Sequence, residues 1–293
     1  MKIVNDFKDY EILDMANGQK LERWNEVLLS RPDPQIIWNE KSNESLWDSV
    51  DARYQRSKTG GGEWHIYNKH MPTTWKVNYK DLTFNLKLMG FKHTGLFPEQ
   101  AYNWNLIREK IKNAGREVKV LNLFAYTGGA TVAALSAGAS VVHVDSSRGM
   151  VDWAKENVHS SHFEDRPVRF IVDDVVKFVN REIRRGNKYD IILMDPPSFG
   201  RGSNKEIWNI ENDLFGLVSA CTEILSDDPI MFIINSYTTG LSMNVLADVL
   251  KLTVNKKHQG YIDTDELGIG MKDSNLVLPC GIYARWEKDK TAN

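Results

Sequence analysis

The chain has 293 residues, of which 42% are hydrophobic and 26% are charged, and its formal net charge is -2. This composition is typical of a soluble globular protein with a hydrophobic core, and the length suits one large domain or two modest ones. A net charge this close to zero excludes a protein that holds nucleic acid through its overall charge. Any such contact would need a local basic patch.

The two cysteines, Cys221 and Cys280, are far apart in the sequence. They indicate neither a disulfide framework nor a zinc site, and we expect no metal centre. Cysteine usage of this kind is typical of a reducing compartment, so we expect a cytoplasmic protein. The first residues, MKIVNDFKDYEILD, lack the apolar core of a signal peptide, and no apolar run reaches the roughly 18 residues of a membrane span. We therefore expect no membrane contact, while the sequence does not choose between a monomer and a homodimer.

Residues 1–117 predict a smaller, β-rich domain. EWHIYN, TWKVNY and LTFNLKLM are typical of short strands, and RPDP and TGGG of turns. Six of the nine tryptophans precede Lys119. We interpret most of them as core residues, and the alternative is that one or two rings are exposed to stack on bases. PEQAYNWNLIREKIKNAG predicts a helix, with Pro98 in its first turn and Gly115 at its end.

Residues 118–293 alternate between apolar strands and helical patterns. The predicted strands are VKVLNLF, SVVHVD, VRFIV, YDIILMD and PIMFIINS, and two further strands close the chain. Strands that are apolar throughout are typical of a sheet covered on both faces. A βαβ series of this kind predicts an α/β domain with a doubly wound, mainly parallel sheet of seven strands.

The segment AYTGGAT follows the first of these strands. Ligands of open α/β sheets lie at the carboxyl ends of the strands, where Gly128 and Gly129 let the backbone approach a ligand. Asp145 ends the next strand and can accept both hydroxyls of a ribose. A dinucleotide and S-adenosylmethionine both fit these features. The dinucleotide pattern G-x-G-x-x-G is incomplete because neither Tyr126, two residues before Gly128, nor Val132, three residues after Gly129, is a glycine. The spacing therefore favours S-adenosylmethionine, which has no phosphates.

Two further strand ends carry candidate site residues. After the third strand, Asp173 or Asp174 can accept from an adenine amino group, with the backbone N–H of Val175 beside it. We favour Asp174 for this role, and the alternative is that the pair caps the next helix. The fourth strand ends in DPPSFG, where two prolines fix two φ angles and remove two N–H donors. A stiff loop with the ring of Phe199 suits an acceptor amine or a planar ring, although it could also be only a rigid exit from the strand.

Taken in order, NLFAYTGG, VD, DD and DPPSF resemble the motifs of class I S-adenosylmethionine-dependent methyltransferases. More narrowly, they resemble the bacterial ribosomal RNA large-subunit methyltransferases, which modify cytosine C5 or guanine N7. The likeness covers residues 118–293 and extends upstream through HTGLFPEQAYNW.

The resemblance implies a role for each matched residue, with S-adenosylmethionine as the cofactor. The methionine part would contact Asn122, Phe124, Ala125, Tyr126, Thr127, Gly128 and Gly129. The ribose would bind Asp145 and Ser146, and the adenine would bind Asp173, Asp174 and Val175. The methyl group and the acceptor would meet the catalytic residues Asp195, Pro196, Pro197 and Phe199, together with Ser198. Thr94, Glu99 and Gln100 would close the pocket from the N-terminal side.

The sequence departs from this family at two points. No PUA domain is evident, and NSYTTG at 235–240 has no cysteine where the cytosine-C5 enzymes have SCS. These departures favour direct in-line transfer to a nitrogen or oxygen, with a base nitrogen of ribosomal RNA as the acceptor. Asp195 and the Pro196 carbonyl would orient an unpaired or flipped base, and Phe199 would stack on it.

Three basic stretches are candidates for RNA contact. ARYQRSKTGGGEW at 52–64 has the strongest case, because Arg56 and Lys58 lie beside a glycine run and aromatic residues. The other two are 181–188 and 251–260. Three other functions stay open: methylation of a protein side chain or small molecule, an inactive methyltransferase-like RNA-binding module, and a nicotinamide oxidoreductase.

Overall fold

The structure, a computed structural model, describes residues 1–58, 60–202 and 206–288. The chain forms two compact units. The smaller unit is Lys2–Tyr102 with Gly268–Cys280, and the larger is Met1, Asn103–Leu267 and the chain from Gly281 on.

The smaller unit is rich in β-structure, as predicted. Its elements are β1 (Lys2–Val4), β2 (Tyr10–Ala16), β3 (Gln19–Trp24), β4 (Val27–Pro32), α1 (Glu44–Asp48), β5 (Ala52–Arg56), β6 (Gly62–Ile66), β7 (Thr74–Tyr79), β8 (Leu82–Lys87) and a 3-10 turn at Pro98–Gln100. Strands β2 to β6 form a sheet in sequence order, and β7 pairs with β8 in a hairpin. Gly60 and Gly61 lie between β5 and β6, and Gly62 begins β6, while Thr59 of the predicted TGGG turn lies outside the described residues.

Strands β2, β3 and β4 lack a recognisable sequence pattern, because their buried positions include charged side chains. Glu22 is fully buried and accepts from Nε of Arg31 at 2.6 Å and from the Tyr10 hydroxyl at 2.6 Å. Burial alone would raise the pKa of Glu22, but the charges of Arg31 and Lys20 outweigh it and lower that pKa to about 2. A buried charge with such partners is tolerated in a core, yet it interrupts the apolar pattern that marks a strand.

The tryptophans of the first 104 residues are structural, which confirms the core interpretation. Four of them are buried, namely Trp24, Trp47, Trp75 and Trp104. Trp38 and Trp64 are half-buried, and their indole N–H groups donate to the carbonyls of Met15 and Met89.

The larger unit alternates strands and helices. Its elements are α2 (Ala101–Lys112), β9 (Lys119–Leu123), α3 (Gly129–Ser136), β10 (Ser140–Asp145), α4 (Arg148–Ser160), β11 (Val168–Val172), α5 (Val175–Arg185), β12 (Ile191–Met194), β13 (Phe199–Arg201), β14 (Ile207–Asn209), α6 (Ile210–Thr222), β15 (Met231–Ser236), α7 (Met243–Leu252), α8 (Val254–Lys257), β16 (Gly260–Gly270) and β17 (Val277–Lys288). Helix α2 begins in the smaller unit, and β16 ends there.

The main sheet is the predicted doubly wound one. Its order is β16-β17-β15-β12-β9-β10-β11, and β15, β12, β9, β10 and β11 are parallel, while β17 runs antiparallel to β15. The short β1 adds an eighth strand beside β16, one more than the seven predicted. Because β10 lies on one side of β9 and β12 on the other, the order of the strands reverses at β9. Ligands of such sheets bind at this reversal, beyond the carboxyl ends of the strands.

Strand side chains point alternately to the two faces of the sheet. Leu121 and Leu123 of β9 join a hydrophobic core that includes Phe178 of α5 and Leu217 of α6. On the other face lies Asn122, which bonds Thr131 of α3.

The boundaries of the two units differ from the predicted division into residues 1–117 and 118–293. Helix α2 belongs mostly to the larger unit because Asn103 bonds Asn235 at 3.0 Å and Trp104 packs against Gly129. The end of the β16–β17 hairpin belongs to the smaller unit because Met271 forms a bridge with Ile12. A separate function for each part stays a prediction.

In the described part of the chain, no helix is long and apolar enough to cross a membrane.

Candidate active site

The loop after β9 has an unusual backbone conformation. Phe124 (φ 52°), Tyr126 (φ 51°) and Gly128 (φ 83°) have positive φ angles, and two of the three are not glycines. Ala125 N–H donates to the Val144 carbonyl at 3.0 Å, which holds the loop at the end of the sheet. Left-handed conformations are strained for side chains other than glycine, and they cluster at ligand sites. This loop is therefore held in a fixed, strained shape beside the strand ends.

Asp145, at the end of β10, fixes the loop. One carboxylate oxygen accepts from the Tyr126 N–H and the other from the Ser147 N–H, both at 2.9 Å. Burial raises the pKa of Asp145, and the two hydrogen bonds offset part of that rise. Each carboxylate oxygen can accept a second hydrogen bond. The side chain therefore has one acceptor position per oxygen for a pair of neighbouring hydroxyls, as the sequence predicts, while Ser146 lies half-buried beside it.

The two glycines of the loop pack against side chains of the larger unit. A Cβ atom on Gly129 would lie 2.7 Å from Cζ2 of Trp104, and one on Gly128 would lie 3.0 Å from Cβ of Ala154. Gly128 is also the N-cap of α3 and offers no side chain to its first N–H groups. A Cβ atom at either position would crowd these neighbouring side chains. This packing is a reason for glycine besides the ligand approach that the sequence suggests.

A buried polar network supports the loop from below, and the sequence analysis did not predict it. Asn122 donates to the Thr131 hydroxyl at 3.0 Å, and that hydroxyl lies 2.9 Å from Nδ1 of His143. Burial lowers the pKa of His143 to about 3, and a hydrogen bond with the backbone of Tyr126 opposes only part of this effect. The histidine is therefore neutral, and its tautomer decides which partner donates in the hydrogen bond between Nδ1 and the Thr131 hydroxyl. Asn122, predicted to contact the methionine part of the cofactor, is 6% exposed and donates its amide N–H here.

The two aspartates after β11, Asp173 and Asp174, have different partners. Asp174 is the N-cap of α5, and it accepts from the Lys177 N–H at 2.9 Å, as the alternative interpretation expected. Asp173 forms an ion pair with Arg181. Val175 is the first residue of α5, where backbone N–H groups have no partner within the helix. Adenine recognition by these residues stays a prediction.

The Asp195–Phe199 loop lies next to the loop after β9, because Asp195 N–H meets the Leu123 carbonyl at 3.4 Å. Pro196 is buried, whereas Pro197 and Ser198 are exposed and Phe199 is 53% exposed. Phe199 starts a short antiparallel hairpin of β13 and β14 that the sequence analysis did not predict. Residues 203–205 of that hairpin lie outside the described residues.

Trp208 of β14 connects the two loops. Its indole N–H donates to the Pro197 carbonyl at 2.7 Å, and its ring lies 5.0 Å from the ring of Phe124. We did not single out this residue from the sequence. The sequence signal was the glycine-containing stretch GSNKE between FGR and IWN, which is typical of a hairpin.

The NSYTTG segment, which begins at the end of β15, contacts the Asp195–Phe199 loop. The Ser198 hydroxyl lies 2.7 Å from that of Thr238, and the Thr238 N–H donates to the Ser236 hydroxyl. Loops after β9, β12 and β15 are thus joined at one edge of the sheet. In the described residues, no group of three or more His, Cys, Asp or Glu is placed to hold a metal ion.

Three comparisons with known proteins bear on this arrangement. Residues 37–246 match the family model described as S-adenosylmethionine-dependent methyltransferase. The SAM-dependent methyltransferase of Agrobacterium tumefaciens is 33% identical and superposes with a TM-score of 0.93 over 98% of this chain and 93% of its own.

The chain belongs to the S-adenosylmethionine-dependent methyltransferase family. Curated relatives include the ribosomal RNA large subunit methyltransferase K/L of Pseudoalteromonas atlantica, which is 36% identical over 144 residues. That match covers 48% of this chain but only 19% of the relative. A methyltransferase solved in complex with SAH superposes with a TM-score of 0.72 at 20% identity, over 96% of this chain and 76% of its own, and this likeness shows the fold.

Family membership confirms the predicted class, fold and cofactor, and it excludes the nicotinamide oxidoreductase. The donor set fits S-adenosylmethionine, because each oxygen of the half-buried Asp145 carboxylate can accept one more hydrogen bond and the loop lacks the glycine pattern that cradles a pyrophosphate. The contact made by each individual residue stays a prediction.

Five further predicted residues lie in the smaller unit. Arg56 and Lys58 are exposed at the β5–β6 turn. Thr94, Glu99 and Gln100 are buried, and the Thr94 hydroxyl has no hydrogen-bond partner among the described residues. Their contacts with RNA or the cofactor stay predictions.

Both cysteines are poor nucleophiles. Cys221 is fully buried in α6, and burial raises the pKa of its thiol. Burial likewise raises the pKa of Cys280, whose Sγ donates to the Leu278 carbonyl at 3.5 Å. The thiolate, which is the reactive form, is therefore scarce at neutral pH.

Proposed function

We propose that this protein transfers a methyl group from S-adenosylmethionine directly to a base nitrogen of ribosomal RNA in the cytoplasm. The observation that carries the proposal is the junction between Phe124, Trp208 and Pro197. This junction joins the loop after β9, on the cofactor side, to the Asp195–Phe199 loop, which ends in the exposed ring of Phe199. An exposed aromatic ring at that place suits stacking on an unpaired base.

Two groups of the Asp195–Phe199 loop already have partners within the protein. Trp208 takes the Pro197 carbonyl, and Thr238 engages the Ser198 hydroxyl. We assign the Asp195 side chain and the Pro196 carbonyl to the acceptor nitrogen, and Phe199 to the face of the base. When bound, S-adenosylmethionine supplies an activated methyl group at its sulfonium. The chain's own part is alignment, which can lower a barrier by roughly 7–11 kcal/mol.

Direct transfer to nitrogen is favoured over attack at a pyrimidine carbon, which needs a cysteine nucleophile. The loop after β15 offers Ser236, Tyr237 and Thr238 but no thiol, and both cysteines are buried or nearly so. Ribosomal RNA as the substrate class rests on the names of the curated relatives. Those relatives are far longer than the matched region, so the substrate is inferred by analogy.

The test is transfer of radiolabelled methyl groups from S-adenosylmethionine to total RNA and total protein of a strain that lacks this gene. We expect label in ribosomal RNA, and nucleoside analysis should place it on a ring nitrogen. Asp195→Ala should abolish the label, whereas Asp213→Ala should retain it, because Asp213 only accepts from the Asn209 N–H at the start of α6. Label in protein alone, or in neither fraction, would overturn the proposal.

A further inference from the structure

A pocket lies at the edge of the main sheet opposite the candidate active site, where the strands begin. Its volume is about 320 Å³, and it is lined by the first residues of β9, β10 and β11 and by the segment before β12. The Phe124–Phe199 region lies beyond the other ends of these strands. Five residues of β9 separate the two edges, which corresponds to about 15 Å at about 3.3 Å per residue.

Three cations line this pocket, each from a different segment. They are Lys119 at the start of β9, Arg169 in β11 and Lys188 after α5. All three are exposed, and none forms an ion pair with a carboxylate in the part of the chain that the structure describes. Lys188 belongs to the basic stretch 181–188 of the sequence. A concave site that holds charge of one sign attracts ligands of the opposite charge.

The carboxylates around the pocket are already engaged. Fully buried Glu182 pairs with Arg185 at 3.1 Å and accepts from the Tyr189 hydroxyl at 2.6 Å. Asp190 accepts from the Lys119 N–H at 2.8 Å and pairs with Arg116 at 2.9 Å. These carboxylates are therefore not available to neutralise the three cations.

One cation is held in place. The Lys188 ammonium donates to the Glu223 carbonyl at 2.7 Å, while the Glu223 carboxylate pairs with Lys257 at 3.0 Å. An ammonium has three donors, so two remain for a ligand. A fixed cation loses less side-chain entropy when it binds a ligand than a mobile one does.

We propose that this pocket binds phosphate groups of the RNA substrate. The inference rests on the proposed function, since it makes the RNA span both edges of the sheet. Phosphate contacts position a nucleic acid without reading its sequence. The pocket would thus anchor the RNA at a distance from the base that is methylated.

The test compares three variants with the unmodified protein. The pocket variant carries Lys119→Gln, Arg169→Gln and Lys188→Gln. The charge-retaining variant carries Lys119→Arg, Arg169→Lys and Lys188→Arg. The matched control carries Lys80→Gln, Lys155→Gln and Lys272→Gln, which removes the same charge from lysines paired with Asp6, Asp152 and Glu11.

Two binding measurements are made, with calorimetry of S-adenosylmethionine binding as the check that each variant is folded. The first is binding of inorganic tripolyphosphate, which the pocket variant should lose and the other two should retain. The second is the dependence of ribosomal RNA affinity on salt. In the pocket variant the slope of log K against log salt should be shallower by about 2–3, since each lost phosphate contact removes about 0.7–0.9.

Each outcome decides a separate point. Undiminished tripolyphosphate binding in the pocket variant would overturn the site itself. Loss of tripolyphosphate with an unchanged RNA slope would overturn the RNA assignment and leave a site for a free phosphate compound. Methylation of ribosomal RNA by the unmodified protein is measured independently. Its absence would overturn the proposed function without altering the tripolyphosphate result.

Discussion

The indole N–H of Trp208 donates to the carbonyl oxygen of Pro197 at 2.7 Å. Pro196 and Pro197 have no N–H of their own, so the backbone of this loop cannot supply such a tie. Because the ring of Trp208 also contacts Phe124, one side chain determines how the two loops lie against each other. We therefore treat Trp208 as a positioning residue for methyl transfer.

Trp208→Phe should keep the ring contact but lose the hydrogen bond. A net hydrogen bond contributes about 0.5–1.5 kcal/mol, so we expect kcat to fall about 2- to 10-fold. The KM for S-adenosylmethionine should change little, because Phe124 still has an aromatic neighbour. Steady-state kinetics separate the two parameters. Trp75→Phe is the matched control, since the buried N–H of Trp75 has no partner among the described residues. Equal kcat in Trp208→Phe and the control would contradict the assigned role.

Gly129→Ala tests the contact with Trp104. A Cβ atom 2.7 Å from the indole ring forces one of the two to move, so the free energy of unfolding should fall by about 1–3 kcal/mol. Adding Trp104→Phe should recover part of that loss, because the smaller ring leaves room. Gly216→Ala, in an exposed turn of α6 with no atom within 4 Å, should be neutral or stabilising. Chemical denaturation measures five proteins: the unmodified protein, the three single variants Gly129→Ala, Trp104→Phe and Gly216→Ala, and the double variant. Strictly additive effects of Gly129→Ala and Trp104→Phe would refute the contact.

Much of the larger unit could be predicted, because its central strands are covered on both faces. The nearly apolar runs 118–124 and 140–145 contain β9 and β10. Asp145 could be placed at a strand end for the same reason. The candidate site residues could be assigned because each is the residue at, or just after, the end of a recognisable strand.

Other features depend on partners that are distant in the sequence. Nothing local marks Glu22 as a strand residue, because its burial requires Arg31. The site role of Trp208 depends on a hairpin that returns it to Pro197. Gly129 looks like a ligand-approach glycine, whereas its contact with Trp104 comes from a helix that precedes β9. Such relationships arise from tertiary packing, which local patterns do not encode.

Asp145 should make cofactor affinity depend on pH. Burial raises the pKa of this carboxyl in the folded protein above its ordinary value of 3.8. Only the ionised carboxylate can accept a hydrogen bond from each ribose hydroxyl, because the protonated form carries an O–H donor on one oxygen. Affinity for S-adenosylmethionine should therefore fall as the pH is lowered through the raised pKa. Calorimetry from pH 8 downward measures this.

Asp145→Asn should bind weakly with a flat pH profile, because the amide does not titrate. Asp152→Asn, on the exposed face of α4, should keep the profile of the unmodified protein. A pH profile that persists in Asp145→Asn would assign the titration to another group.

His143 should lower stability in mild acid. Its pKa is about 3 in the folded protein and near 6.5 when unfolded, so only the unfolded chain takes up the proton between these values. The free energy of unfolding is therefore unaffected well above pH 6.5 and decreases as the pH falls toward 3. At about 1.36 kcal/mol per pH unit, the loss between pH 7 and pH 5 is about 2 kcal/mol.

His143→Gln keeps an acceptor for Thr131 but cannot titrate. Urea unfolding at pH 7 and pH 5 should show a pH effect about 2 kcal/mol smaller in this variant than in the unmodified protein. Other buried histidines, such as His93, titrate equally in both proteins and cancel in the difference. An identical pH effect in the two proteins would mean that His143 is charged or exposed in solution.

Arg56 and Lys58 are the predicted RNA contacts of the smaller unit. Both are exposed near the β5–β6 turn, and neither forms an ion pair within the described ranges. If each meets one phosphate, Arg56→Ala with Lys58→Ala should make the salt slope of RNA binding shallower by about 1.5–2. Lys80→Ala with Lys272→Ala removes the same charge from lysines paired with Asp6 and Glu11, and it should leave the slope unchanged. Equal slopes in both double variants would mean that the β5–β6 turn is an ordinary solvated surface.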